Sequence, residues 1–345
     1  MRKILTLSRV VAVCSLGVFA VACGSDDTAS DSTMSGATSD APSDAPSATS
    51  GGSTTAATDG ELPAIAVTTS ILGDIVSEAV GDLAEVEVIM PIGADPHDFA
   101  PSAKQAEAME NADLLVINGA GFEEGMLATI EQVESSGTPV FAFADQIELL
   151  EFDGEHSDDE EHSDEVAFDP HIWTDPTRMI TAVEAFGDEF AGVDGVDGAA
   201  VKSQVRDYIE ELTVLDSEME DTLATVPDDQ RVLVTSHEVF GYFADRFDFK
   251  IVGAVLPSLT TNAEPSAADI EELAALIEAE GIPAIFGDTS GSTQLAEALA
   301  ESVGSDVEVV VLYSESLGEP GSGADTYIGM MNTNAELISG ALTPS

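Results

Sequence analysis

Eight short runs rich in β-branched residues, four on each side of one long amphipathic stretch, constrain this chain more than any other feature. The first four are Ile65–Thr69, Glu85–Met90, Leu114–Asn118 and Val140–Phe143. The second four are Arg231–Thr235, Phe249–Gly253, Ala284–Phe286 and Val307–Leu312. They alternate with helical stretches and show little inward–outward alternation, the pattern of parallel sheets covered on both faces. Between the two sets, Val201, Val205, Tyr208, Leu212, Leu215 and Met219 repeat at 4-3-4-3-4 spacing, one apolar stripe on a long helix that Pro227 stops. Such a helix of about 25 residues is ~37 Å long, enough to run along both halves as a stiff spine. Behind Pro265, Ser266-Ala267-Ala268-Asp269 reads as the N-cap of a helix over Ile270–Glu280. The fold class is therefore α/β, with two lobes of mostly parallel four-stranded sheet joined by a rigid helix. The first lobe takes residues 62–199, the helix 200–226 and the second lobe 227–345.

The N-terminus reads as an export signal. Arg2, Lys3 and Arg9 precede an apolar run from Val10 to Ala22. Ala20-Val21-Ala22-Cys23-Gly24 then resembles the cleavage motif of bacterial lipoproteins, making 1–22 the signal peptide and Cys23 the lipidated residue; an ordinary secretory cleavage near Ala22 is the alternative. Residues 24–60 hold no aromatic, Lys or Arg and cannot bury enough surface to fold, so 23–61 reads as a lipid-bearing Cys on a disordered tether.

Charge excludes whole classes of function. The chain has 66 acidic and 10 Lys+Arg residues, a formal charge of −56. Nucleic-acid binding needs clustered bases and is ruled out. Three of those bases and none of the acids lie in the signal, so the remainder is more lopsided still. Anionic headgroups repel such a surface, leaving acyl chains to hold it at a membrane. Cys14 and Cys23 are the only cysteines and both precede the tether, which excludes a disulfide scaffold and a thiolate metal cluster.

The five histidines carry the chemistry. His97 follows the second run in Asp95-Pro96-His97-Asp98-Phe99-Ala100-Pro101. His171 lies in Asp169-Pro170-His171-Ile172-Trp173-Thr174-Asp175-Pro176, and His237 directly follows the fifth run. Parallel sheets bind ligands beyond their carboxyl edges, where two of these three fall. A single such His is more often structural; three in Pro-flanked or strand-end loops point to a metal, and neutral imidazoles suit zinc and other late first-row ions. A fourth ligand is expected at a strand end of the second half, which spacing alone cannot choose among so many acids.

These two Asp-Pro-His segments, with Thr235-Ser236-His237-Glu238-Val239-Phe240-Gly241-Tyr242-Phe243, Glu264-Pro265-Ser266 and the closing Gly323–Met331 segment, resemble the zinc/manganese-binding lipoproteins of bacterial ABC importers. The resemblance spans about residues 62–342. It implies two α/β lobes on a rigid helix with one metal between them. His97 and His171 become ligands from the first lobe and His237 from the second. The family's fourth ligand, usually an Asp, falls at Glu315 in Leu312-Tyr313-Ser314-Glu315-Ser316-Leu317. It also implies a membrane permease with a cytoplasmic ATPase as partner, a location on the outer face of the cytoplasmic membrane, and a monomer.

Three neutral His and one carboxylate favour Zn2+, with Mn2+, which prefers more oxygen ligands, as the alternative. Asp95, Asp98, Asp169 and Glu238 adjoin the ligands and are expected to orient the imidazoles through their second nitrogens; as turn formers, the Asp-Pro pairs have a structural reading as well. Residues 151–165 hold nine acids with His156 and His162, a composition no packed core can use, and read as a mobile loop that collects zinc at low affinity or as a solvated insertion. A zinc hydrolase would need an open coordination position and a base such as Glu238, but His-Glu-x-x-His and Gly-x-Ser-x-Gly are missing. No segment marks an adhesin, and few basic or aromatic residues are available to hold an organic solute.

Overall fold

A computed structural model describes residues 62–152, 167–304 and 307–343, all within one compact unit, Ala57–Ser345. The first half runs β1 (Ala64–Val67), α1 (Ser70–Val80), β2 (Glu85–Val88), α2 (Ala103–Asn111), β3 (Leu114–Ile117), α3 (Leu127–Ser136), β4 (Val140–Ala142) and α4 (Pro176–Phe190). The long helix α5 (Gly198–Leu223) follows. The second half runs β5 (Val232–Thr235), α6 (Gly241–Phe247), β6 (Lys250–Ala254), α7 (Ala267–Glu280), β7 (Ala284–Asp288), α8 (Gln294–Val303), β8 (Glu308–Leu312) and α9 (Tyr327–Leu342). Two four-stranded sheets result, ordered β2-β1-β3-β4 and β6-β5-β7-β8, with every pairing parallel.

The missing alternation in the strands has a direct cause. Ile65, Val67, Leu114 and Val116 face a core that also contains the buried stripe of α5, whereas Ala66 and Leu115 face α2 and α3 on the other side. In the second sheet Leu233, Ala284 and Phe286 join the same large core, and Val234 and Ile285 pack towards α7 and α8. Alternate residues thus enter different cores, and both are apolar. Only the edge strands β2, β6 and β8 keep exposed residues, among them Glu85, Glu87, Lys250 and Glu308.

All six residues of the stripe are buried, joined by Leu223. At 26 residues α5 is ~39 Å long, and it packs on α1, α4 and α9, so one spine serves both halves. Ser266 caps α7 reciprocally with Asp269. Strand ends depart from expectation by one or two residues. One departure matters: β7 runs on to Asp288, because it pairs with β8 as far as Leu312.

Helix α4 packs tightly on α5 at Gly187, where a Cβ would lie 2.8 Å from Val205 Cγ2 and 3.0 Å from Cγ1. Gly187→Ala gains up to ~1 kcal/mol of helix propensity but overpacks this seam, which costs about 1–3 kcal/mol. We expect a lower urea midpoint; a midpoint at or above wild type would mean that α5 shifts without penalty.

Candidate metal centre

Each of the three histidines is held by its own loop. Asp95 Oδ1 accepts the His97 backbone N–H at 2.9 Å, pinning the turn after β2. Asp169 Oδ1 takes both the His171 backbone N–H (2.9 Å) and its ring Nδ1 (2.8 Å). Asp175 then caps α4 by accepting from Thr177 and Arg178 N–H, so the His171 loop is fixed at both ends. The Thr235 hydroxyl donates to the His237 carbonyl at 2.7 Å, bending the chain out of β5. Glu315 lies in the buried Ser314–Leu317 turn after β8.

These loops bring His97, His171, His237 and Glu315 together. Their exposures are 2%, 0%, 1% and 2%, and one donor atom from each lies within 4.8 Å of all the others. Glu315 Oε1 is 2.9 Å from His97 Nε2, 3.1 Å from His237 Nε2 and 3.7 Å from His171 Nε2. A tetrahedron of ~2.0–2.1 Å bonds has edges of about 3.3 Å, so this donor set fits a zinc-sized ion. Phe122 walls the cluster, its ring centroid 5.1 Å from His97 and 5.7 Å from His171, and Trp173 stands 5.5 Å from His171.

Electrostatics follow from burying these groups together. Burial alone would depress His171, but Asp169, by hydrogen bond and charge, and then Glu315 outweigh it and raise its pKa to about 9. Burial would raise Glu315; the His237 charge, the hydrogen bonds from His97 and His237 and the nearby His171 ring instead hold it well below the ordinary carboxylate range. Asp288 is pushed up to about 6 by burial and by the negative charge of Glu315.

Of the four acids expected to orient imidazoles, Asp169 alone bonds a ring. Asp95 spends one oxygen on the His97 backbone and the other on the Thr261 hydroxyl (2.7 Å), an organiser of the loop instead. Asp98 is exposed, and neither it nor Glu238 has a side-chain hydrogen bond to a ring among the described residues; Glu238 is instead half-buried, and desolvation, then the charge of Asp169, raise its pKa. His156, His162 and Cys23 lie outside the described residues.

Two acids near the centre escaped the sequence reading. Asp288, buried at the end of β7, shares Ser290 with Glu315: the Ser290 hydroxyl donates to Asp288 Oδ1 and lies 3.3 Å from Glu315 Oε2. Asp288 Oδ2 has no partner among the described residues. The signal was available, since an acid closing a parallel strand is a ligand position, but β7 was expected to stop two residues earlier. Glu124 Oε1 stands 3.5 Å from His97 Nδ1 and nothing in its local sequence marks it.

A model of the family described as the periplasmic component A of zinc-uptake complexes matches residues 65–341. The chain belongs to this family. Among its relatives, the zinc-binding protein TroA of Treponema pallidum is 31% identical over 296 residues, covering 84% of this chain and 92% of the relative. The manganese-binding lipoprotein MntA of Halalkalibacterium halodurans is 29% identical over 287 residues, covering 83% and 90%. The solved structure of the T. pallidum periplasmic zinc-binding protein superposes with a TM-score of 0.73 at 28% identity, over 82% of this chain and all of that one. Relatives of nearly equal similarity are thus named for different metals.

Proposed function

We propose that this protein is an extracytoplasmic receptor that captures zinc between its two sheets and delivers it to the membrane permease of an ABC importer driven by a cytoplasmic ATPase. The carrying observation is the convergence of His97, His171, His237 and Glu315 on one buried point. Three nitrogens and one oxygen suit zinc, and with neutral imidazoles the loaded centre has a net charge of about +1. Four protein donors fill a tetrahedral shell, and a receptor, unlike a hydrolase, needs no open position for water. The strongly acidic surface raises the local cation concentration and speeds encounter. In this reading lipidated Cys23 keeps the receptor on the outer face of the cytoplasmic membrane, and it works as a monomer.

A manganese reading rests on one observation. Asp288, beside Glu315 and with one oxygen unpartnered among the described residues, offers the additional oxygen donor that manganese prefers.

Titrating the full chain with zinc and with manganese, and counting bound metal, tests both readings. Trp173 is the chain's single Trp and stands beside His171, which makes its fluorescence a direct reporter. One zinc per chain, held more tightly than manganese, is expected. Tighter manganese would keep the receptor and change its cargo, and no tight metal would end the proposal.

A further inference from the structure

The motif Phe240-Gly241-Tyr242 follows His237 but supplies no donor to the metal centre. Its side chains point elsewhere. Tyr242 is fully buried, and its hydroxyl donates to the Asp169 carbonyl at 2.7 Å while accepting the Leu150 N–H at 3.1 Å. Leu150 and Asp169 are themselves joined, Asp169 N–H donating to the Leu150 carbonyl at 2.9 Å, and an antiparallel bridge pairs Glu151 with Phe168 beside them. One hydroxyl on the second lobe therefore closes the base of the first-lobe segment that ends in His171.

Four further contacts converge on the same place. Gly241, the first residue of α6, lies against the Asp169 carboxylate so closely that a Cβ there would collide with Oδ2. The Arg178 guanidinium sits 4.7 Å over the Tyr242 ring. That arginine pairs with Asp175 (2.7 Å), at the end of the His171 loop, and with Asp245 (2.9 Å), on α6. Asp169 thus receives its backbone anchor from Tyr242 and its side-chain confinement from Gly241. It in turn is the acid that holds the His171 ring.

We propose that Tyr242 is a positioning residue that makes the orientation of His171 conditional on contact between the lobes. The inference rests on the zinc-receptor reading above. While the lobes touch, the Tyr242 hydroxyl keeps Asp169 in place and Asp169 keeps Nδ1 of His171 engaged, so that Nε2 faces the ion. When the lobes part at this seam, the same movement removes the anchor of Asp169, and His171 becomes the first ligand free to turn away. Delivery then needs only a local separation near α6, which the stiff α5 permits, and no wide hinge opening.

A double-mutant cycle on zinc affinity tests this, using the full chain, competition with a chelator, and the thermal midpoint of the zinc-free protein as a separate readout. Residues that orient a metal-bound His typically contribute 10–100-fold in affinity. Tyr242→Phe keeps the ring and loses the hydroxyl, and we expect about a tenfold loss. Gly241→Ala, which displaces the Asp169 carboxylate without touching the hydroxyl, should cost a similar factor and serves if Tyr242→Phe does not fold. In a His171→Ala background each substitution should cost less than about twofold, because the ring it acts through is gone. An equal loss in both backgrounds would assign Tyr242 a general packing role and overturn the proposal, as would no loss in the wild-type background. Those outcomes leave the receptor reading intact. A wild-type chain that binds no zinc tightly would sink both.

Discussion

Replacing Glu315 by Ala should lower zinc affinity by more than the roughly 10–100-fold typical of residues that only orient a ligand. Its Oε1 lies 2.9–3.7 Å from all three imidazole Nε2 atoms, so it is a corner common to the whole donor set. Its removal also takes away the negative charge that offsets a dication inside a buried, partly aromatic pocket, where such charges are weakly screened. Glu315→Asp separates reach from charge. The charge stays, but the side chain is one methylene shorter and Ser290 no longer meets Oε2 at 3.3 Å, so an intermediate loss is expected. Chelator competition on the three proteins measures both effects. Tight zinc binding by Glu315→Ala would leave a three-His centre with an open position, a zinc-hydrolase arrangement rather than a receptor's.

Zinc affinity should also rise steeply with pH. His171 has a pKa raised to about 9 in the metal-free fold, so at neutral pH it carries a proton that zinc must displace. One displaced proton makes affinity increase by about tenfold per pH unit below that pKa, or about a hundredfold between pH 6 and 8. The sign for the metal-free protein is opposite. A His whose pKa rises on folding contributes stability that is complete below its unfolded value of ~6.5 and disappears as pH passes through about 9. Zinc-free protein should therefore lose thermal stability over the same interval in which zinc binds better. Calorimetry in buffers of different ionisation enthalpy counts the released proton. Asp169→Asn removes the charge that raises His171 and leaves a weaker, neutral acceptor for its Nδ1, and should bring the affinity plateau down to a lower pH. A flat profile between pH 6 and 8, unchanged by Asp169→Asn, would show that His171 enters the reaction neutral.

Some of this could be read from the chain before folding was considered. Strand runs that lack alternation imply burial on both faces, and the stripe of α5 has the period of a helix; each is a property of residues close in sequence. The loops of His97 and His171 were legible for the same reason, because Asp-Pro-His sets a local turn. Glu315 was not legible from spacing, and it needed the family resemblance to single it out. The near-identical Asp-Pro-His contexts misled where they looked most alike. Asp169 bonds the His171 ring, while Asp95 holds a backbone N–H and reaches Thr261, because different parts of the second lobe press on the two loops.

Two parallel sheets, a spine between them and three histidines in stiff loops at or near strand ends are legible in the residues alone. These follow from backbone geometry and hydrophobic period, which act over a few residues. It takes the packed fold to bring His97 to Glu315 across 218 residues, to set Asp288 beside that carboxylate, and to let Tyr242 grip the base of the His171 loop. Such distances depend on how the two sheets dock on α5 around one shared core. That docking sums many weak apolar contacts, and no one of them carries a mark in the sequence.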